Sequence, residues 1–201
     1  MRKETDVLIV IDVQNDFCPD GQLPVPGGDD VVHIANRLAH GFKHVVLTQD
    51  WHPAGHSSFA SSHDGKKPFE HIAMPYGLQT LWPDHCIQNT GGAALHVGLD
   101  IPHAELIVRK GFRRDIDSYS AFFENDRKTP TGLAGYLRDR GFSKVICVGL
   151  AFDFCVRYSA EDAQALGFET EVIEAACRSI DLDGSAEATR KSFAERGIVL
   201  A

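Results

Sequence analysis

The stretch VICVGLAFDFCV, residues 145–156, decides the fold of this 201-residue chain. Its first six residues carry no charge, which is typical of a strand that is buried on both faces of a parallel sheet. The run breaks at Gly149, and the residues that follow are compatible with a helix ending near Gly167. Cys155 therefore falls in the first turn of a predicted helix, just beyond a predicted buried strand.

A thiol in that position is a candidate nucleophile. Unpaired N–H groups and the helix dipole in a first turn favour the thiolate, which is the reactive form of cysteine. The alternative is that Cys155 is a small buried hydrophobic residue that takes part in no chemistry.

Short apolar runs alternate with amphipathic stretches along the rest of the chain, and this pattern predicts an α/β layer fold. The predicted strands span 7–11, 44–48, 105–109, 145–149, 170–173 and 198–200.

Capping signals place three predicted helices between these strands. Asp29 begins a helix that stops at Gly41, and Thr131 begins another that stops at Gly141. The third spans 185–196 and stops at Gly197.

Size and composition predict one domain over residues 1–201, since 43% of the residues are hydrophobic and can bury a full core. Between residues 51 and 104 the alternation of apolar runs with amphipathic stretches stops, and Gly, Pro, His and Ser are frequent. Irregular segments of this length are usually functional. We therefore expect 51–104 to be an insertion that binds a metal or a substrate.

Charge and cysteine content exclude several classes of protein. A net charge of −8 with scattered Lys and Arg argues against nucleic-acid binding. The apolar run at 7–11 is too short for a signal peptide or a membrane span. Five cysteines without a pairing pattern fit the reducing cytoplasm. We expect a cytoplasmic protein with no nucleic-acid or membrane partner, and the sequence leaves open whether copies form a homo-oligomer.

Chemistry-bearing side chains follow four of the predicted strands, where ligands bind to open parallel sheets. They are Asp12, then Asp50 with His52, then Lys110, then Cys155. A carboxylate beside a thiol can act as its general base, and a lysine ammonium lowers the pKa of the thiol. A turn cap at Asp12 and a surface ion pair at Lys110 are the alternatives.

Six motifs occur in order along the chain. They are IDVQNDF around Asp12, TQDWHP around Asp50 and His52, LWPDHC around His85, RKG around Lys110, DSYSAF around Tyr119, and VGLAFDFCV around Cys155. Together they resemble the nicotinamidase branch of the isochorismatase-like cysteine hydrolases. The resemblance implies a three-layer α/β/α fold with a mostly parallel sheet of about six strands. It also implies a catalytic triad of Asp12, Lys110 and Cys155.

The same resemblance places one divalent metal ion at Asp50, His52 and His85. A carboxylate and two imidazoles suit Zn²⁺, with Fe²⁺ or Mn²⁺ as alternatives. By itself this pattern is weak in a chain with ten histidines. Family members differ in their fourth protein ligand, so His56 and His63 stay outside the predicted set. In the family, the ion orients the pyridine ring of the substrate.

Aromatic residues equivalent to Phe17, Trp82 and Tyr119 wall a small pocket in similar proteins and stack on a flat heteroaromatic ring. Each of the three could instead belong to the core. Phe152 stands where a smaller polar residue is often found, and it could narrow the pocket or alter its entrance.

The implied activity is hydrolysis of nicotinamide to nicotinate and ammonia through a thioester on Cys155, in NAD salvage, with pyrazinamide as a further substrate. Asp12 would transfer the protons. Backbone N–H groups of Ala151 and Cys155 would form an oxyanion hole. The family also implies a cis peptide bond between Leu150 and Ala151.

Three other interpretations stay open. A related hydrolase could act on another small amide, a ureido compound or isochorismate, although many of those proteins lack the metal. A non-catalytic metal-binding interaction domain is disfavoured because Asp12, Lys110 and Cys155 are all present. A redox or metal-storage protein finds no support, since the chain has no CxxC or paired-thiol motif.

Overall fold

Residues 3–201, the part of the chain that the computed structural model describes, contain eight strands and four α-helices joined by short helical turns and loops. The strands are β1 (Asp6–Ile11), β2 (His44–Asp50), β3 (His71–Met74), β4 (Gly77–Thr80), β5 (Leu106–Lys110), β6 (Lys144–Leu150), β7 (Glu169–Arg178) and β8 (Val199–Leu200). The helices are α1 (Asp30–Ala39), α2 (Leu133–Asp139), α3 (Arg157–Ala165) and α4 (Ser185–Arg196).

Six of the strands form one sheet in the order β5-β2-β1-β6-β7-β8, and every neighbouring pair is parallel. All six strands predicted from the apolar runs are confirmed. The main difference is β7, which is longer than predicted and pairs with β6 through a register shift between Cys147 and Gly149. Strand β1 lies inside the sheet, and all six of its residues are buried.

Helices cover both faces of the sheet, which confirms the three-layer α/β/α fold. The odd-numbered residues of β1 pack with buried residues of α2, α3 and α4. The even-numbered residues of β1 pack with buried residues of α1. Because side chains alternate between the faces of a strand, one continuous apolar run supplies both layers of core.

The predicted helix boundaries are confirmed closely, but one predicted cap is wrong. Asp29 precedes α1 without a side-chain capping bond, because its own backbone is already helical. Thr131 does accept a hydrogen bond from the Leu133 N–H at 3.2 Å, so it serves the start of α2. Helix α4 spans the predicted residues and ends before Gly197.

The segment 51–104 contains a structure that its composition did not predict. Strands β3 and β4 pair as an antiparallel hairpin, separate from the main sheet. Single bridges from His52 to Ile87 and from Phe59 to Trp82 link other parts of the segment to each other. Within residues 3–201, no helix is long and apolar enough to span a bilayer.

Candidate active site

Four adjacent strands deliver the predicted catalytic groups to one edge of the sheet. Asp12 directly follows β1, Asp50 ends β2, and Lys110 ends β5. The backbones of Asp50 and Lys110 are register partners across β2 and β5. Cys155 follows β6 by five residues, so all four groups lie beyond the carboxyl ends of neighbouring strands.

Gly149 makes the close approach of β6 to β1 feasible. It pairs with Ile11 and has a φ of +117°, which side chains rarely adopt. A Cβ atom at this position would lie 2.1 Å from the Ile11 carbonyl oxygen. The glycine at the break in the apolar run therefore allows the nucleophile turn to sit against the end of β1.

Lys110 is the centre of the polar cluster. Its Nζ lies 2.7 Å from Asp12 Oδ2 and 3.3 Å from Cys155 Sγ. It also donates to the Ser118 carbonyl at 3.0 Å and contacts Asp50 Oδ1. The structure thus brings together the three side chains predicted as a triad, and all of them are buried.

The hydrogen bonds of Lys110 leave an acceptor position free on Asp12. An ammonium has three hydrogens, and Lys110 directs its three hydrogen bonds to Asp50, Ser118 and Cys155. Asp12 Oδ2 lies 2.7 Å from the same ammonium, and because a carboxylate oxygen has two lone pairs, one acceptor position stays available beside Lys110. It can therefore accept a proton from a neighbouring group.

Burial and the neighbouring opposite charges shift the pKa values of Asp12 and Lys110 in opposite directions. Burial raises the pKa of Asp12 above its ordinary value, although the Lys110 ammonium and the Thr48 hydroxyl act against that shift. Burial alone would lower the pKa of Lys110, but the Asp12 and Asp50 carboxylates raise it well above its ordinary value. Lys110 is therefore a permanent cation in the site.

The expectation that Cys155 favours the thiolate is wrong for the resting protein. Cys155 lies in a π-helical turn, Phe152–Val156, and α3 begins only at Arg157. Burial raises the pKa of its thiol well above the ordinary value, and the Asp12 and Asp50 carboxylates add to this shift against Lys110. The resting group is a thiol, so a base must remove its proton.

Asp50 faces two histidines with its second carboxylate oxygen. Asp50 Oδ2 lies 3.7 Å from the Nε2 atoms of both His52 and His85. His52 Nδ1 lies 2.9 Å from the Gly111 carbonyl, and His85 Nδ1 lies 2.8 Å from the Pro83 carbonyl. Carbonyl oxygens only accept, so each Nδ1 carries a hydrogen, and in the neutral ring each Nε2 offers its lone pair to a ligand.

This donor set fits a divalent metal ion. One carboxylate oxygen and two imidazole nitrogens lie within 4.8 Å of one another. Backbone carbonyls fix both tautomers, as is usual for histidines that bind metals. The absence of a side chain at Gly111 leaves room for the His52 ring, because a Cβ atom there would lie 2.4 Å from that ring.

Neither additional histidine joins the group of Asp50, His52 and His85, although His56 forms a second potential ligand group with His52 and Asp117. His56 Nε2 lies 2.9 Å from the Arg113 carbonyl, so it carries a hydrogen, and Nδ1 pairs with Ser58. His63 instead pairs its Nε2 with the Ser57 carbonyl. Asp117 was not predicted from the sequence. Its Oδ1 atom lies 3.9 Å from His52 Nε2, on the side of the ring that faces Asp50.

A cavity of about 320 Å³ opens onto Cys155 and the Asp50–histidine group. Its walls include the three aromatic residues predicted for substrate contact, Phe17, Trp82 and Tyr119. Phe152 does not line it, because its ring is buried and packs edge-on against Phe193 at 5.7 Å. Four lining residues were not predicted: Leu23, Asp117, Phe154 and Ile180.

The turn between β6 and α3 has the predicted backbone. The Leu150–Ala151 peptide bond is cis, which confirms that expectation. The Ala151 carbonyl accepts hydrogen bonds from the N–H groups of Phe154 and Val156, both at 3.1 Å. These bonds close the turn around Cys155.

Residues 6–201 match the family model of the isochorismatase domain. The chain belongs to the isochorismatase family. Two nicotinamidases are similar to this family member over most of their length. That of Acinetobacter baylyi is 53% identical over 95% of this chain and 89% of the relative. That of Escherichia coli is 44% identical over 87% of this chain and 84% of the relative.

Solved structures of the isochorismatase family share this fold. The nicotinamidase/pyrazinamidase of Acinetobacter baumanii has a TM-score of 0.98 at 52% identity, covering 100% of this chain and 97% of that one. A protein from L. infantum in complex with nicotinate has a TM-score of 0.86 at 38% identity over 99% and 93%. The pyrazinamidase of Pyrococcus horikoshii in complex with zinc has a TM-score of 0.81 at 34% identity over 98% of each chain.

The unpredicted cavity residues of this isochorismatase-family site do not directly follow a strand of the main sheet, where we expected the functional side chains. Leu23 and Ile180 are apolar residues in loops, and Asp117 lies seven residues beyond the end of β5. Asp117 and Phe154 did carry a signal, since Asp117 begins the DSYSAF motif and Phe154 lies inside the VGLAFDFCV motif.

Proposed function

We propose that this protein is an amide-hydrolysing enzyme that converts nicotinamide to nicotinate and ammonia. The observation that carries the proposal is the contact of one buried ammonium, Lys110 Nζ, with Asp12 at 2.7 Å and with Cys155 Sγ at 3.3 Å. The Asp50–histidine group lies beside it in the same cavity. The named nicotinamidases that are similar over most of their length support this substrate.

Asp12 begins the reaction by taking the thiol proton of Cys155 on its Oδ2 atom. The sulfur then forms a bond to the carboxamide carbon, and the C=O electron pair moves onto oxygen. When this intermediate collapses, the C–N bond breaks and Asp12 returns the proton to the leaving nitrogen, which departs as ammonia. The product of this half-reaction is a thioester on Cys155.

Water completes the cycle. Asp12 takes one proton from water, and the oxygen adds to the thioester carbon. The C–S bond then breaks and Asp12 returns its proton to the sulfur, while the product acid loses its remaining proton to solvent and leaves as nicotinate. Lys110 stays charged throughout and stabilises each anion that forms on Cys155 or Asp12, because its ammonium donates directly to Sγ.

We also propose that the N–H groups of Ala151 and Cys155 receive the oxyanion. Both residues line the cavity, Ala151 directly before the π-helical turn and Cys155 within it, which supports this assignment. Loss of one such donor typically raises a barrier by about 2.7–4 kcal/mol.

Asp50, His52 and His85 would hold one divalent ion. We propose zinc, because the similar pyrazinamidase of Pyrococcus horikoshii was solved in complex with zinc. When bound, the ion supplies a Lewis acid for the lone pair of a ring nitrogen, which orients the substrate. We propose that residues 51–104 serve this site within one domain over 1–201, since they contribute His52, Trp82 and His85.

The cavity supports a flat, single-ring substrate. Phe17, Trp82 and Tyr119 present aromatic surface to it, and such surfaces stack on flat rings. Pyrazinamide has the same shape with a second ring nitrogen, so we propose it as a further substrate. Consumption of nicotinamide places the enzyme in NAD salvage.

Replacement of the nucleophile tests the proposal. We expect the wild-type protein to release ammonia from nicotinamide and Cys155→Ala to release none above background. Cys147→Ala is the matched control, because Cys147 is equally buried but lies in β6 outside the cavity. If Cys155→Ala keeps wild-type activity, the assignment of the nucleophile is wrong.

A substrate panel should accompany this test. Nicotinamide, pyrazinamide, a ureido compound and isochorismate separate the proposed activity from those of related hydrolases. Turnover of only a ureido compound or isochorismate would overturn the substrate assignment while leaving the nucleophile intact.

A further inference from the structure

Gln14 is a buried residue of the IDVQNDF motif that takes no part in the proposed reaction. Its side chain is fully buried, and it is not among the residues that line the cavity. A buried carboxamide has two N–H donors and an acceptor oxygen, and these groups need partners inside the protein. The partners that Gln14 finds include the backbone of Asp50.

Every donor and the acceptor of this carboxamide are used. Gln14 Nε2 donates to the Asp50 carbonyl and to the Ala93 carbonyl, both at 2.9 Å. Gln14 Oε1 accepts from the Asp50 N–H at 2.8 Å. Because carbonyl oxygens only accept and a backbone N–H only donates, these three bonds also fix the orientation of the carboxamide. One side chain thus holds both backbone polar groups of Asp50.

Asp50 needs this support because its strand has lost a neighbour. The last register pair between β1 and β2 joins Val10 to Leu47, three residues before Asp50. The chain then leaves β1 in a tight turn at Asp12, which has a φ of +49° and whose carbonyl accepts from the Gln14 N–H at 2.8 Å. In a continuous sheet, the backbone of the neighbouring strand would bond the N–H and C=O groups of Asp50. The Gln14 carboxamide, which has the donor and acceptor of a peptide group, takes that place.

The position of Asp50 matters because its carboxylate faces two kinds of group at once. Its Oδ1 contacts Lys110 Nζ, whereas its Oδ2 lies 3.7 Å from the Nε2 atoms of His52 and His85. A displacement of the Asp50 backbone would change the distances to the ammonium and to both imidazoles. Affinity for an ion depends on such orientation of its ligands by the residues behind them.

We propose that Gln14 is a positioning residue of the ion site, which fixes the Asp50 backbone so that the carboxylate reaches both the ion and Lys110. The inference rests on the proposed function for the presence of a divalent ion at the Asp50–histidine group. It gives the segment after β1 a second task, because the segment that presents the base Asp12 also supports a ligand of the ion.

The test compares Gln14→Met with Gln49→Met. Methionine is about as long as glutamine but offers no N–H donor. Gln49 is the matched control, because it is buried and its Nε2 donates to the same Ala93 carbonyl at 3.1 Å. Its Oε1 accepts from Arg109 Nε at 3.4 Å, so its side chain does not hold the Asp50 backbone. The Kd of zinc is measured without substrate, by competition with a chromogenic chelator.

We expect the Kd of zinc to rise about ten- to a hundredfold in Gln14→Met, the usual effect of losing a group that orients a metal ligand. At limiting zinc, kcat/KM for nicotinamide should fall, and excess zinc should restore it by mass action. Gln49→Met should leave the Kd of zinc and kcat/KM unchanged. Recovery with zinc is a response that general damage to the fold would not give.

A second variant, Gln14→Asn, keeps the test decisive where Gln14→Met does not fold. Asparagine retains the polar carboxamide, but its side chain is one methylene shorter and does not reach both backbone groups of Asp50. The affinity for zinc should therefore fall in this variant as well.

The outcomes separate this inference from the proposed function. If the wild type binds zinc and deamidates nicotinamide, and the folded Gln14 variants bind zinc equally well, the inference alone is overturned. The same holds if Gln49→Met loses as much zinc affinity as Gln14→Met, or if excess zinc restores no activity. A wild type that binds no divalent ion overturns the ion site of the proposed function and this inference together.

Discussion

The Thr48 hydroxyl makes two hydrogen bonds with Asp12. Its hydroxyl donates to Asp12 Oδ1 at 2.5 Å and accepts from the Asp12 N–H at 3.1 Å. The donated bond stabilises the charged carboxylate and lowers the pKa of Asp12, against the larger effect of burial, which raises it. Thr48 is thus a residue through which the base can be tuned without contact with the substrate.

The pH dependence of the reaction follows from this arrangement. Asp12 must be ionised to accept the thiol proton, so kcat/KM falls as the pH drops below the pKa of Asp12. Thr48→Val removes the donated hydrogen bond and raises this pKa, so the acid limb should move to higher pH. Thr48→Ser keeps the hydroxyl and should leave the limb in place. An unchanged profile in Thr48→Val would contradict the role of Asp12 as the base.

The protonation state of Cys155 shows why some residue properties could not be predicted. Its place after an apolar strand was visible in the sequence, and so was a nearby lysine. The state of the thiol depends instead on the balance of burial, two carboxylates and one ammonium. That balance requires the depth of the site, which no local pattern contains.

At the scale of elements, strands and helices were predictable where one physical signal dominates. Apolar runs located all six strands of the main sheet, and Gly197 located the end of α4. The hairpin β3–β4 was missed because its residues are half-buried or exposed, apart from Gln79. Without a buried face, a strand pair leaves no hydrophobic alternation in the sequence.

The nucleophile turn is attached to a neighbouring loop by one carboxylate. Asp153 is buried, and it accepts from the N–H groups of Ile180 and Asp181 at 3.0 and 2.7 Å. It also accepts from the Ser185 hydroxyl at 2.5 Å. Ile180 also lines the cavity, so these bonds connect the turn that carries Cys155 to a second segment of the cavity wall.

Asp153→Asn should therefore weaken both folding and substrate binding. The amide removes one acceptor and points N–H at a donor, so we expect a loss of about 1.5–3 kcal/mol in the free energy of unfolding. KM should rise because Ile180 is released from its position. Denaturant titration and steady-state kinetics measure the two effects. The exposed Asp139→Asn at the end of α2 is the control and should change neither.

For the molecule as a whole, sheet topology decides which distant residues meet. Asp12, Asp50, Lys110 and Cys155 are widely separated in sequence, yet the order β5-β2-β1-β6 places their strand ends side by side. The rule that ligands bind at the carboxyl ends of parallel strands predicted this convergence. It could not predict Leu23 or Ile180, because these residues reach the site from loops.

The metal ligands connect two parts of the molecule. Asp50 ends β2 of the main sheet, whereas His85 belongs to the long segment 51–104. A bound ion would therefore link this segment to the sheet, and binding to the folded state adds to its stability. Removal of the ion should loosen the segment while leaving the core of the sheet unaffected.

Hydrogen exchange with and without a chelator measures this effect. Amide protection near residues 82–88 should fall on chelation and recover with added zinc, whereas β1 and β6 should keep their protection, because those strands are buried on both faces. His85→Ala should resemble the chelated wild type and show no response to zinc. Equal amide protection near residues 82–88 in the wild type, the chelated wild type, the zinc-restored wild type and His85→Ala would contradict this prediction. It would mean that the Asp50–histidine group holds no ion that stabilises this segment.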